Sequence, residues 1–220
     1  MDVAGKPFAV HQIELLKSHG LQDLVFCIGH LGHLVREALG DGSRWGVRIR
    51  YVEDGDGPRG TGGALRRAVD RLGERFLVLY GDSYLECDYE GIIQAFLDGG
   101  CAGLMTVLRN DNQWDRSNIQ FEDGRIVRYD KQSAAPEMHH IDYGLGALHH
   151  SALSGRTPED AFDLVEVYQA LVATGNLAGF EVTQRFYEIG SPRGLEETRA
   201  HLACRPSASV GPSASTSASS

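Results

Sequence analysis

The run Arg75-Phe76-Leu77-Val78-Leu79-Tyr80-Gly81-Asp82-Ser83 decides how the rest of the chain is read. Unbroken apolar character from Phe76 to Tyr80 is the pattern of a strand covered on both faces, as in a parallel sheet flanked by helices. The run stops at Gly81-Asp82, which puts a carboxylate just past the carboxyl end of that strand. Open α/β sheets hold their ligands at such places. A lone acid there is a natural seat for Mg²⁺ and the phosphates it carries, although Asp is also a common turn former.

Upstream of this strand the spacing predicts a helix from Pro7 to His19 with Ala9, Ile13 and Leu16 on one face, then a strand over Asp23 to Ile28. Leu31, Val35 and Leu39 predict a second helix and Val47 to Val52 a strand nearer an edge. Ala64, Leu65, Ala68, Val69 and Leu72 form the face of a third helix. Downstream, Asp88 caps a fourth helix carrying Ile92, Ile93, Phe96 and Leu97. This alternation predicts an α/β fold built on a mostly parallel sheet with helices on its faces.

The second half changes character. Ala102 to Leu108 and Ile141 to Leu148 read as strands, and Asp123-Gly124 between Ile119-Phe121 and Ile126-Val127 is a strong hairpin signal. Thr157-Pro158-Glu159-Asp160 opens a helix as a capping box, with Leu164, Val165, Tyr168, Leu171 and Val172 on its inner face. Leu177 to Tyr187 is strand-like, and Ser191-Pro192 caps a last helix to about Leu202. One domain is expected over residues 1–204, followed by a disordered Ser/Ala/Pro tail over 205–220.

With 42% hydrophobic residues and a formal charge of −9, the chain can fill a core but cannot grip nucleic acid or an anionic membrane by bulk charge. Cys27, Cys87, Cys101 and Cys204 form no Cys-x-x-Cys pair and read as reduced, buried thiols. No signal peptide or membrane-length apolar run is visible, so the cytoplasm is the expected compartment.

Further residues suit a site. Gly60-Thr61-Gly62-Gly63 before a helix is either a loop that lets backbone approach a ligand or a flexible turn. Glu188, set between Tyr187 and Ile189 and followed by Gly190-Ser191-Pro192, is either a second metal ligand facing Asp82 or an acid satisfied by neighbouring amides. Lys131 is placed to pair with a phosphate, or is a surface lysine. Asp54 and Asp56 form an Asp-x-Asp that reads first as a solvated turn. The pairs His139-His140 and His149-His150 cannot chelate one ion from one strand, because adjacent side chains point to opposite faces.

Taken in order, Val3-Ala4-Gly5-Lys6-Pro7-Phe8, Gly40-Asp41-Gly42-Ser43-Arg44-Trp45-Gly46, Gly60-Thr61-Gly62-Gly63-Ala64-Leu65, Gly81-Asp82 and Tyr187-Glu188-Ile189-Gly190-Ser191-Pro192 resemble the sugar-phosphate nucleotidyltransferases, the NDP-sugar pyrophosphorylases. The resemblance implies a Rossmann-like sheet that carries nucleotide on its first half and sugar phosphate on its second. It implies transfer of a nucleotidyl group from a nucleoside triphosphate to a sugar 1-phosphate, with Mg²⁺ bridging phosphates and pyrophosphate leaving. Position by position, Asp82 and Glu188 would hold the metal; Gly60, Thr61, Gly62, Gly63 and Gly81 would meet the nucleotide; and Asn118, Lys131, Asp142 and Gly144 would meet the sugar phosphate. Asp82 and Lys131 would be catalytic, through metal binding and charge neutralisation. The family pattern begins with a buried strand and a loop Gly-Gly-x-Gly-Thr-Arg-Leu that align upstream of Met1. Without that strand, the edges of its neighbours should stand open. Two other readings stay open: a non-catalytic nucleotide- or sugar-phosphate-binding remnant, and a metal-dependent glycosyltransferase of GT-A-like fold using Asp54 and Asp56.

Overall fold

The computed structural model describes residues 1–55, 57–133 and 135–204. The chain opens with a small hairpin, β1 (Asp2–Val3) and β2 (Lys6–Pro7). Pro7 then leads into α1 (Phe8–Ser18), whose buried face carries Phe8, Val10, Ile13 and Leu15. Next come β3 (Asp23–Ile28), α2 (Gly32–Leu39), β4 (Arg48–Glu53) and α3 (Gly60–Ala68). The opening run forms β5 (Arg75–Leu79), followed by β6 (Ser83–Tyr84) and α4 (Tyr89–Gly99). The second half adds β7 (Gly103–Arg109), β8 (Ile119–Glu122), β9 (Arg125–Tyr129), β10 (His140–His149), α5 (Leu164–Ala173), β11 (Leu177–Val182), β12 (Tyr187–Glu188) and α6 (Pro192–Ala203).

The main sheet runs β5-β10-β7-β11-β9-β8. It is mixed: β7 and β11 are parallel, whereas β10 lies antiparallel to both β5 and β7. Strands β3 and β4 form a separate parallel pair. The parallel character expected from the first hundred residues is therefore confined to part of the molecule, because the long β10 inserts between β5 and β7. Helices cover both faces. Alternate side chains of β7 show it: Met105 and Val107 pack with α3 and α5, while Leu104 and Leu108 pack with α4.

Several local expectations shift. The last long helix before β11 begins at Leu164, not at Thr157. Its capping box is Asp163 with Glu166, and Thr157 and Asp160 close a preceding turn on each other. The box moves because Thr157 and Asp160 satisfy one another locally, leaving Asp163 to supply the acceptor for the helix amides. Leu31 is not on a buried helix face. It is the αL residue before α2 and is half exposed. The Asp123-Gly124 turn has positive φ at both residues, as a two-residue hairpin demands. The tail at 205–220 and Asp56 lie outside the described residues.

Among the described residues, β3 pairs only with β4 and β5 only with β10. Their free edges bound one apolar cavity of about 520 Å³, lined by Val25 and Phe26 of β3, Phe76 and Leu77 of β5, and Ile13 and Phe96 from the helices above. The open edges expected from the resemblance are therefore present. They also explain why Cys27 is an exposed residue rather than a buried one. Its sulfur nevertheless tucks toward the Ala64 carbonyl at 3.6 Å, and burial pushes the thiol up to about 11. Cys87 is buried as expected, Cys101 is half-buried and Cys204 is exposed; all four are free thiols. No helix among the described residues is long and apolar enough to cross a membrane.

Candidate active site

Asp82 sits in a tight turn at the end of β5. Ser83 N–H donates to the Tyr80 carbonyl at 3.2 Å, closing the turn over Gly81 and Asp82, both exposed. The chain then enters β6, which pairs antiparallel with β12 so that Ser83 faces Glu188. Ile189 N–H donates to the Asp82 carbonyl at 3.0 Å and extends that ladder toward the acid. This short two-stranded piece brings together two acids 106 positions apart.

Their carboxylates converge beside Gly190. A β-carbon built there would lie 3.1 Å from Asp82 Oδ2 and 3.2 Å from Glu188 Oε2, so the two oxygens are separated by no more than the sum of these distances. Glu188 is an acid satisfied by neighbouring amides. Its Oε2 accepts from Gly190 N–H at 2.5 Å and Ser191 N–H at 2.9 Å, and its Oε1 from Ser191 Oγ at 2.5 Å, which settles it on the start of α6. Two donors on Oε2 and one on Oε1 leave one of about four lone-pair sites open, on Oε1. Asp82 Oδ1 accepts from Ser83 Oγ at 3.2 Å.

Among the described residues no group of three or more His, Cys, Asp or Glu could hold a metal ion. A pair of hard oxygen donors is incomplete for most ions. It suits Mg²⁺, which keeps several waters and takes only one or two carboxylates besides substrate phosphates. The donor set therefore fits Mg²⁺.

A second group lies across the turn on β10. Asp142 Oδ1 accepts from Gly144 N–H at 3.0 Å, and Oδ2 faces Tyr129 Oη at 3.3 Å and Tyr80 Oη at 3.5 Å. Burial raises the Asp142 carboxyl above its ordinary range, against the Gly144 amide and the nearby Lys131 charge. Gly144 is buried at φ +100° in the irregular stretch of β10, and its carbonyl accepts from Tyr80 N–H at 3.4 Å. Lys131 is exposed, with Nζ 5.8 Å from the Tyr129 ring centre. Asn118 lies on the neighbouring strand end, and its side-chain oxygen is buried with no hydrogen-bond partner among the described residues.

The glycine segment departs from its expectation as an open loop. Gly60 to Gly63 are already helical, the first turn of α3. Gly62 and Gly63 N–H groups donate to the Phe162 carbonyl at 3.0 and 3.1 Å, so they are not free for a ligand. Side chains at Gly60 and Gly62 would collide with Phe162, and one at Gly63 with the Asp160 carbonyl. The glycines let the segment before α5 pack on α3, and only Gly60 and Thr61 are exposed. Thr61 Oγ1 in turn accepts from Leu164 N–H at 2.9 Å. Asp54 lies beside Gly29, and its carbonyl accepts from Arg59 Nε at 2.6 Å. The two His pairs bond elsewhere: His140 to Glu181 and His149 to Glu74 and Ser151.

Tyr80, Tyr129 and Gln12 were not anticipated. Tyr80 adjoins Gly81, and Tyr129 stands two positions before Lys131, both of which were. Gln12 left one trace, a polar residue on the apolar stripe of α1.

The pattern that defines the nucleotidyl transferase family matches residues 1–118, and the chain belongs to that family. It is 37% identical over 95 residues to N-acetylmuramate alpha-1-phosphate uridylyltransferase of Neisseria meningitidis serogroup B, covering 43% of this chain and 41% of that protein. It is 26% identical over 200 residues to probable mannose-1-phosphate guanylyltransferase 1 of Oryza sativa subsp. japonica, covering 88% of this chain and 55% of that one. The chain thus spans about half the length of these relatives. The crystal structure of HddC from Yersinia pseudotuberculosis complexed with GMP-PN superposes with a TM-score of 0.77 at 21% identity, covering 92% of this chain and 88% of that one, and shares the fold.

Proposed function

We propose that the chain transfers a nucleotidyl group from a nucleoside triphosphate to a sugar 1-phosphate, forming an NDP-sugar and pyrophosphate with Mg²⁺. The observation that carries this reading is the convergence of Asp82 and Glu188 on one point beside Gly190, at the carboxyl end of β5. An oxygen of the sugar phosphate forms a bond to the α-phosphorus, and the bond from that phosphorus to the pyrophosphate oxygen breaks. Bound Mg²⁺ supplies charge neutralisation on the phosphates. The attacking phosphate is already a competent nucleophile, so the protein has chiefly to position and neutralise.

Asp82 and Glu188 hold the cation. Lys131 offsets the charge of the sugar phosphate. Asp142 accepts from a sugar hydroxyl, and the buried Asn118 Oδ1, without a partner among the described residues, accepts from a second one. Gly81, Gly60 and Thr61 face the nucleotide, whereas Gly62 and Gly63 act by packing. The names of the two relatives, a uridylyltransferase and a guanylyltransferase of sugar 1-phosphates, support the substrate class.

Incubation with Mg²⁺, each nucleoside triphosphate and a panel of sugar 1-phosphates tests this by pyrophosphate release. Release should require both substrates and fall at least about 100-fold in Asp82→Ala. Lys131→Ala should raise KM for the sugar phosphate about tenfold, the size of one lost charge-assisted hydrogen bond. Triphosphate binding without release across the whole panel would contradict the reading.

A further inference from the structure

Gln12 lies on the apolar stripe of α1, four residues after Phe8 and three before Leu15, and is 6% exposed. Its Nε2 carries two hydrogens. One donates to the Ser83 carbonyl at 2.8 Å and the other to the Tyr80 carbonyl at 3.2 Å. Those two carbonyls bracket Gly81 and Asp82, the middle of the turn closed by Ser83 N–H on Tyr80. One amide group therefore pins both ends of the four residues that carry the acid.

The turn's backbone ties run from Tyr80 N–H to the Gly144 carbonyl and from Ile189 N–H to the Asp82 carbonyl, and its own side chains add Tyr80 Oη to Asp142 at 3.5 Å and Ser83 Oγ to Asp82 at 3.2 Å. They fix the turn to β10 and β12. Gln12 is the side chain that fixes it to α1. Gly81 at the centre has no Cβ to limit its backbone, so an unclamped turn would sample several directions for Asp82. An isosteric carboxylate or thioether cannot replace the clamp: neither donates two hydrogen bonds to two carbonyls.

We propose that Gln12 is a positioning residue that aims Asp82 Oδ2 at Glu188 and so sets the affinity of the acid pair for a divalent cation; this rests on the assignment of those acids as the cation site. The test uses Mn²⁺ as the probe and follows paramagnetic broadening of the Ser83 and Gly190 amide resonances in the full chain, far below melting. Gln12→Glu and Gln12→Met should each need about tenfold more Mn²⁺ for half-broadening, with faster hydrogen exchange at Asp82 and Ser83. Leu171→Ala, which loosens the core cluster on the opposite face of the sheet, should titrate like the parent. Equal weakening in Leu171→Ala would trace the effect to stability and overturn the role of Gln12. Parent-like titration of both Gln12 variants, with broadening lost in Asp82→Ala, would also overturn it and leave the acid pair standing. Parent-like broadening in Asp82→Ala, or none in the parent, would remove the acid pair itself and the inference with it.

Discussion

Asp142 shows how one residue joins stability to chemistry. Its folded carboxyl is raised by burial, above the ordinary value of 3.8. Between the unfolded and folded values the native state holds more protons than the unfolded chain, so the group removes stability as pH rises through that window. Asp142→Asn keeps a carbonyl for Gly144 N–H and has no charge to bury. It should melt higher than the parent at pH 7 and together with it at pH 3, where both forms are neutral. It should also lose sugar-phosphate use if that carboxylate holds the sugar. Thermal melts across pH check the first outcome; a higher parent melting point at pH 7 would contradict it. Asp142 was legible only through resemblance. Nothing in the local sequence shows that Tyr80 and Tyr129, 62 and 13 positions away, enclose its carboxyl.

At the scale of elements, periodicity located the strands well. Asp23–Ile28 matches its expected bounds, and the hairpin turn at Asp123-Gly124 follows from the φ > 0 that both positions need. Helix starts were less legible, because several acceptors compete within a few residues. Asp163 wins over Thr157 since its oxygen takes Val165 N–H at 2.9 Å while Glu166 reaches back to Asp163 N–H at 3.3 Å. Asp163→Ala should therefore cost about 1–2 kcal/mol in urea unfolding, the usual range for a lost cap. A loss within experimental error would show the cap to be ornamental. The glycines of α3 teach the same lesson from the other side. Their spacing suggested a loop that lets backbone approach a ligand, and the partner that fills the space, Phe162, lies about 100 positions downstream. Gly62→Val should drive the Phe162 ring away, and Gly60→Ala should put a β-carbon into the Phe162 carbonyl oxygen at a φ of +70°, so both should lower the melting point.

Across the whole molecule, the two halves differ in how their strands are covered. The main sheet has helices on both faces, while β3 and β5 face each other across an apolar cavity on edges with no strand partner among the described residues. Continuous apolar runs such as Leu24-Val25-Phe26 imply cover on both faces, but here they are only part-buried. Cys27 reports on this region. Its sulfur is tucked in and its thiol raised to about 11, first by burial and then by the Asp54 charge. In a Cys87→Ser, Cys101→Ser, Cys204→Ser background, Cys27 should label slowly at pH 7.5 and still be gaining rate at pH 10, beyond the point where an ordinary thiol levels off. A rate that plateaus near pH 9 would place the sulfur in solvent.

The central claim is that Asp82 and Glu188 jointly hold one divalent cation. Crystals grown with Mn²⁺ and a nonhydrolysable nucleoside triphosphate test it through anomalous scattering. The account predicts one peak about 2.1 Å from an oxygen of each carboxylate, with phosphate oxygens and water completing the shell. A peak ligated by other side chains, or by phosphate alone with both carboxylates turned away, would contradict it.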